Sequence, residues 1–93
     1  MSGIRIPIKL MKQLVFFAEQ IDIDFAHIKM EFIGNKTRYF VDLWRKIAPD
    51  NLSKTLSIIK RICPNDWEII ALTYDVLNKC LHIEIRIIKE GEE

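Results

Sequence analysis

The stretch LHIEIRIIK, Leu81 to Lys89, constrains the fold of this chain more than any other. Apolar and polar residues alternate along it, so Ile83 and Ile85 point one way while His82, Glu84 and Arg86 point the other. A strand of this kind has one dry face and one wet face, as in an antiparallel sheet covered on a single side. WEIIALTY, Trp67 to Tyr74, reads as the strand before it, and the residues from Asp75 to Lys79 join the two into a terminal hairpin. The row of His82, Glu84 and Arg86 has two readings. Such groups form an acid–base row only where they converge within hydrogen-bond reach. A solvated strand face accounts for the same alternation.

Upstream, the apolar period changes three times. IRIPI, Ile4 to Ile8, alternates and suits a short first strand, with Pro7 confining it to an edge or a strand end. From Lys9 the spacing becomes helical: Leu10, Leu14, Phe17 and Ile21 recur at i, i+4, i+7 and i+11, predicting a helix over Lys9–Ile21. Ile23 and Phe25 then alternate in one phase, and Ala26, Ile28, Met30 and Phe32 in the other. A bulge or bend near Phe25–Ala26 is therefore expected. Gly34–Asn35 supplies a turn, after which Tyr39, Val41 and Leu43 face one way and Arg38 and Asp42 the other. A second helix is predicted over Asn51–Ile62, with Asp50 or Asn51 as its N-cap and Pro64–Asn65 as its stop. Leu52, Thr55, Leu56, Ile58, Ile59 and Ile62 form its apolar side, opposite Lys54, Ser57 and Arg61 with Lys60 at the border.

The expected order is β-α-β-β-α-β-β, an α+β fold with an antiparallel sheet and two helices packed on one face. It resembles two rough copies of one strand–helix–strand–strand pattern. Residues 1–93 form a single domain ending in an acidic flexible tail over 89–93. The expected core contains Leu14, Phe17, Leu56, Ile59, Ile70, Leu72, Ile83 and Ile85. The terminal hairpin or the Arg38–Leu43 strand is expected to leave an open edge, a hazard that favours self-association.

Composition narrows the function classes. Lys and Arg number 14 against 13 Asp and Glu, a formal net charge of +1, which argues against a dedicated nucleic-acid binder but not against a local basic face. No Gly-rich phosphate loop, nucleophile elbow, HExxH or CxxC is present, and no enzyme, cofactor, small-molecule substrate or metal is expected. Asp22 and Asp24 flank Ile23 at strand spacing, yet one short pair falls well short of the roughly six to eight oxygens that calcium takes. Cys63 and Cys80 read as small core or boundary residues, with a disulfide between them left open. LVFFA is far shorter than a membrane span, and an intracellular, soluble chain, cytoplasmic or nuclear, is expected.

Among the aromatics, Phe16 adjoins Phe17 and falls at the margin of the helical stripe, and Phe40 falls on the polar side of its strand. Trp44 and Trp67 stand at strand ends, where a large ring closes a core rim. An exposed ring marks a partner site. Phe16, Arg38, Phe40 and Trp44 are the candidate partner-binding residues.

The second half of the chain resembles a domain of the sliding-clamp family, that of proliferating-cell nuclear antigen and the checkpoint clamps. Asn51-Leu52 at a helix start, Ile58-Ile59-Lys60 at its end, Asn65-Asp66 in a turn and Ile69-Ile70 in a strand follow at nearly the family's spacing. IRIPIKLMKQLVFFAEQI is similar to the clamp's opening strand and first helix. The resemblance covers roughly two-thirds of the chain, which has length for one clamp domain and not for a second or for the loop that captures client peptides. In clamps the helices offer Lys and Arg to DNA phosphates. The resemblance assigns that role to Lys9 and Lys12 on the first helix and to Lys54, Lys60 and Arg61 on the second. Contacts of this kind are sequence-independent and salt-sensitive.

Two functions are expected from these features. The first is a non-catalytic binding or assembly module, clamp-like and associated with DNA replication or repair through a protein partner, self-association or weak non-specific duplex binding. The second is a small regulator of mobile-element or viral type that docks on a larger host protein through an edge strand or aromatic patch.

Overall fold

A computed structural model of the protein describes residues 6–90. The chain runs α1 (Ile8–Gln20), β1 (Phe25–Ile33), β2 (Lys36–Lys46), α2 (Pro49–Ile62), β3 (Trp67–Asp75) and β4 (Cys80–Glu90). The four strands form one antiparallel sheet in the order β1-β2-β4-β3. The α+β architecture and the antiparallel sheet agree with the sequence, and so does the placing of both helices on one face.

That placing follows from the periods of the elements. Leu10, Leu14 and Phe17 of α1 and Thr55 and Ile59 of α2 are buried. They meet Tyr39, Val41 and Leu43 of β2 and Leu81, Ile83, Ile85 and Ile87 of β4 in a single core. Phe17 touches Trp67 of β3 with ring centroids 5.5 Å apart, so this indole does close the core rim. Burying each of these large side chains is worth about 1.5–3 kcal/mol. The opposite face of the sheet carries no helix.

The first strand is corrected at its described end. Ile6 and Pro7 have no regular structure and Ile8 already opens α1, while Ile4 and Arg5 lie outside the described residues. Pro7 lacks an N–H for a ladder, and its fixed φ suits a helix start, where Met11 N–H donates to its carbonyl at 2.9 Å. The helix ends in a Schellman turn. Asp22 takes φ 57, Ile23 N–H donates to Ala18 C=O at 3.0 Å, and Asp22 N–H donates to Glu19 C=O at 3.2 Å. The phase change near Phe25 is consequently no bulge, because Ile23 belongs to this turn and β1 pairs with β2 in unbroken register.

Further corrections follow. The N-cap of α2 is Ala48, with Pro49 at the first helical position and Asp50 in the first turn, so neither Asp50 nor Asn51 caps it. The Arg38–Leu43 strand leaves no edge, since β2 is paired on both sides; the edges are β1 and β3. Ile70 and Leu72 are 47% and 45% exposed rather than core, and Leu56 is partly buried. A bulge between Ile69 and Ala71 breaks the β3 register, and an edge strand has cover on fewer sides. Lys89 and Glu90 belong to β4 rather than to a tail, and residues 91–93 lie outside the described residues. Lys89 pairs with Asp66 at 2.8 Å and Glu90 with Lys36 at 3.8 Å.

Two hydrogen bonds hold the sheet to the α2 connection. Tyr74 Oη donates to Ile47 C=O at 2.7 Å, and Ile47 N–H donates to Lys79 C=O at 2.9 Å. Gly34 takes φ 62 in the β1–β2 turn, a conformation that a side chain resists.

Candidate functional site

Two surfaces carry the candidate residues, one on each side of the sheet. On the helix layer Lys9, Lys12, Lys54, Lys60 and Arg61 are all exposed. The helical period sends them outward because the apolar positions of α1 and α2 are turned to the sheet. Lys9, Lys12 and Phe16 come together at a groove of about 390 Å³, closed on its other side by Ile62 and Pro64 from the end of α2. Phe16, the margin residue of its helical stripe, is 53% exposed there. Lys60 sits apart, on a second groove of about 440 Å³ beside Leu52 and Leu56. The structure thus joins one predicted aromatic to two predicted lysines and leaves Lys60 on different ground.

Beside the first groove, Asp66 accepts a hydrogen bond from Lys89 that holds its carboxyl below the usual range, with the charges of Lys89 and Lys9 adding to the effect. Burial pushes the Cys63 thiol up, and the Asp66 carboxylate adds to the rise. Cys63 and Cys80 are both free thiols.

The helix-free face presents Arg38, Phe40 and Trp44 from β2 with His82, Glu84 and Arg86 from β4. Arg38 lies 3.7 Å from Glu31 and 5.7 Å from the centre of the Phe40 ring, which Lys29 also approaches at 5.5 Å. Trp44 does not close the core rim. It stacks on the His82 imidazole at 4.6 Å and meets Phe25 at 5.3 Å. Phe16 is on the other side of the molecule, so the four proposed partner-binding residues do not form one patch.

His82, Glu84 and Arg86 do not converge as one acid–base row. His82 Nε2 lies 3.0 Å from Asp42 Oδ1, while its Nδ1 is 3.7 Å from Glu84 Oε2. Arg86 turns away to Glu68, with Nε donating at 3.2 Å. Asp42 is the residue that sequence reasoning missed. Its pairing with His82 crosses from β2 to β4 through a register set by tertiary packing. One part was readable, however: a two-residue Gly34–Asn35 turn places Ile33 opposite Lys36 and therefore His27 opposite Asp42. Asp22 and Asp24 do not converge either. The Asp22 carboxylate lies 3.6 Å from Arg45, and Asp24 Oδ2 accepts from Lys46 N–H at 2.6 Å.

Among the described residues no helix is long and apolar enough to cross a membrane. No protein-family model, curated protein or solved structure matches the chain.

Proposed function

We propose that the protein is a non-catalytic binding and assembly module, similar in plan to one sliding-clamp domain, whose helix layer meets the phosphates of duplex DNA. The supporting observation is a bias in how the basic side chains are paired: among the described residues none on the helices has a carboxylate partner, whereas most in the strands do, Lys29 and Lys46 being the strand exceptions. Lys36, Arg38, Arg45, Arg86 and Lys89, all in strands, each have a carboxylate oxygen at 3.8 Å or less. Among the described residues, Lys9, Lys12, Lys54, Lys60 and Arg61 on the helices have none. Only Glu19 and Asp50 share those helices as acids. Cations left unpaired on one layer are available to an outside polyanion. Paired cations are already neutralised.

The near-zero net charge limits what one copy does. Non-specific phosphate binding of this kind lies at about 10⁻⁴–10⁻⁶ M and falls steeply with salt. An assembly that aligns several helix layers along one duplex raises the effective concentration and gives a useful grip. The test is a salt titration of duplex binding, comparing the wild type with Lys54→Glu and Arg61→Glu combined. The wild type is expected to bind at low salt and the double variant to bind more weakly. Equal binding, or none by either protein at low salt, removes this reading.

A second reading, a regulator that docks on a larger protein, is favoured by β1. That edge strand exposes Phe25 (61%), Phe32 (72%) and Ile33 (47%). A Phe32→Lys variant that loses a captured protein partner while keeping its duplex affinity decides for docking.

A further inference from the structure

We propose that the helix-free face of the sheet holds a site for a divalent transition-metal ion, zinc by the character of its donors, built from Asp42, His82 and Glu84 with His27 as an added ligand. The inference is independent of the duplex-binding reading, because it uses the opposite side of the molecule. One donor atom from each of Asp42, His82 and Glu84 lies within 4.8 Å of the other two. Donors bound at about 2.1 Å to one ion stand roughly 3.0–3.5 Å apart in tetrahedral or octahedral arrangement. His82 Nε2 is already 3.0 Å from Asp42 Oδ1, whereas the 3.7 Å approach of Glu84 is to the other ring nitrogen, Nδ1, so its carboxylate must swing toward Nε2 to complete the set.

The strand register supplies a second, independent observation. Asp42 is the cross-strand partner of Glu84 on β4 and of His27 on β1, so three potential ligands form one row across three adjacent strands. The chain has two histidines, and both are neighbours of this one carboxylate. His27 lines a cleft of about 320 Å³ together with Asp42 and Glu84. Its side chain is exposed on the edge strand, which leaves the ring room to turn toward the ion.

The chemistry of the set selects the metal class. Imidazole with carboxylate suits zinc and its neighbours in the first transition row, whereas calcium and magnesium take oxygen ligands. Two carboxylates beside neutral imidazoles balance a doubly charged ion. The His82 ring is held flat against Trp44, with the planes 4° apart, so little orientation is lost on binding. Of the neighbouring bases, Arg86 is engaged by Glu68, and Lys29, which also lines the cleft, reaches over the Phe40 ring.

The experiment uses the full chain without a histidine tag, treated with chelator. Zn²⁺ is titrated by calorimetry and Co²⁺ by visible absorption. One ion per chain is expected, with saturation well below about 1 mM, the weak end of the affinity scale. His82→Gln and Asp42→Asn are each expected to weaken binding by about tenfold or more, within the range that lost ligands and their supports produce. His27→Gln should weaken it less. Circular dichroism checks that each variant is folded, as the exposed position of His27 and the partly exposed positions of Asp42 and His82 imply. A variant with both Cys63 and Cys80 changed to Ser should bind undiminished. Binding that survives in His82→Gln with Asp42→Asn, that is lost with the thiols, or that never saturates overturns the proposal.

Discussion

The imidazole of His82 lies flat on the indole of Trp44, with ring centroids 4.6 Å apart and planes 4° from parallel. The contact joins β2 to β4 on the face that carries no helix, because the register sets these two residues directly opposite. Phe25 continues the row from β1 at 5.3 Å, so one aromatic contact follows another across three strands. Stacking of this kind does on the wet face what the apolar core does on the dry one. It fixes the register of central strands.

Truncating Trp44 to Ala should therefore destabilise the sheet although the residue is outside the core. The aromatic contacts alone account for about 0.5–1.5 kcal/mol beyond the buried area. Trp44→Phe keeps a ring against His82 and should cost less than Trp44→Ala. Chemical denaturation of the two variants measures the difference, and equal midpoints would show that the stack is incidental.

The core makes a sharper demand. Ile59 is 1% exposed, and Leu56 one turn earlier on α2 is only partly buried. Ile59→Ala should cost about 2–5 kcal/mol. Leu56→Ala should cost less, because part of its side chain already meets water. If Leu56→Ala proves the more damaging change, the orientation of α2 on the sheet is wrong.

The amphipathic periods made α1, α2 and β4 legible in advance, since a period names both the element and its buried face. The helical stripe Leu10, Leu14, Phe17 and the alternation through Ile83 and Ile85 are local signals. Ile70 and Leu72 were misplaced for the opposite reason. WEIIALTY is apolar on both faces, so its sequence does not reveal a bulge between Ile69 and Ala71. Pro7 misled by sitting among alternating residues at what is a helix start. The cluster around Asp42 was half visible. His27 opposite Asp42 follows from a hairpin, whereas His82 and Glu84 arrive from a strand separated from β2 by a helix and another strand.

The Asp66–Lys89 pair predicts how stability responds to acid. Asp66 Oδ2 accepts from Lys89 Nζ at 2.8 Å, and this bond holds the folded carboxyl below its ordinary value near 3.9. A depressed carboxyl contributes stability above the unfolded value and loses it as pH falls through the folded one. Asp75, held down chiefly by its bond from Asn78, adds in the same direction. The contribution is small, since Asp66 is more than half exposed and solvent screens the pair. Replacing Asp66 by Asn should lower stability at neutral pH and flatten its decline below about pH 4. A pH series of denaturation midpoints checks both. Parallel acid limbs for the two proteins would show that the pair is not felt.

The two edges of the sheet are unequal, and the difference predicts how copies associate. β3 carries a bulge, a device that blunts an edge by twisting it and interrupting its ladder. β1 runs nine residues in unbroken register and exposes Phe32 and Ile33 at its end. A regular, apolar edge is the better template for another strand. Self-association should therefore occur through β1, and the resulting pair would extend the sheet without covering the basic helix layer. Sedimentation at micromolar concentration should show an oligomer for the wild type. Phe32→Lys, which places a charge on that edge, should shift it to monomer with the thermal midpoint little changed. A Leu72→Lys substitution on β3 should leave the oligomer intact. If the β3 change dissociates it and the β1 change does not, copies meet at the bulged edge. A wild type that remains monomeric throughout leaves β1 without this role.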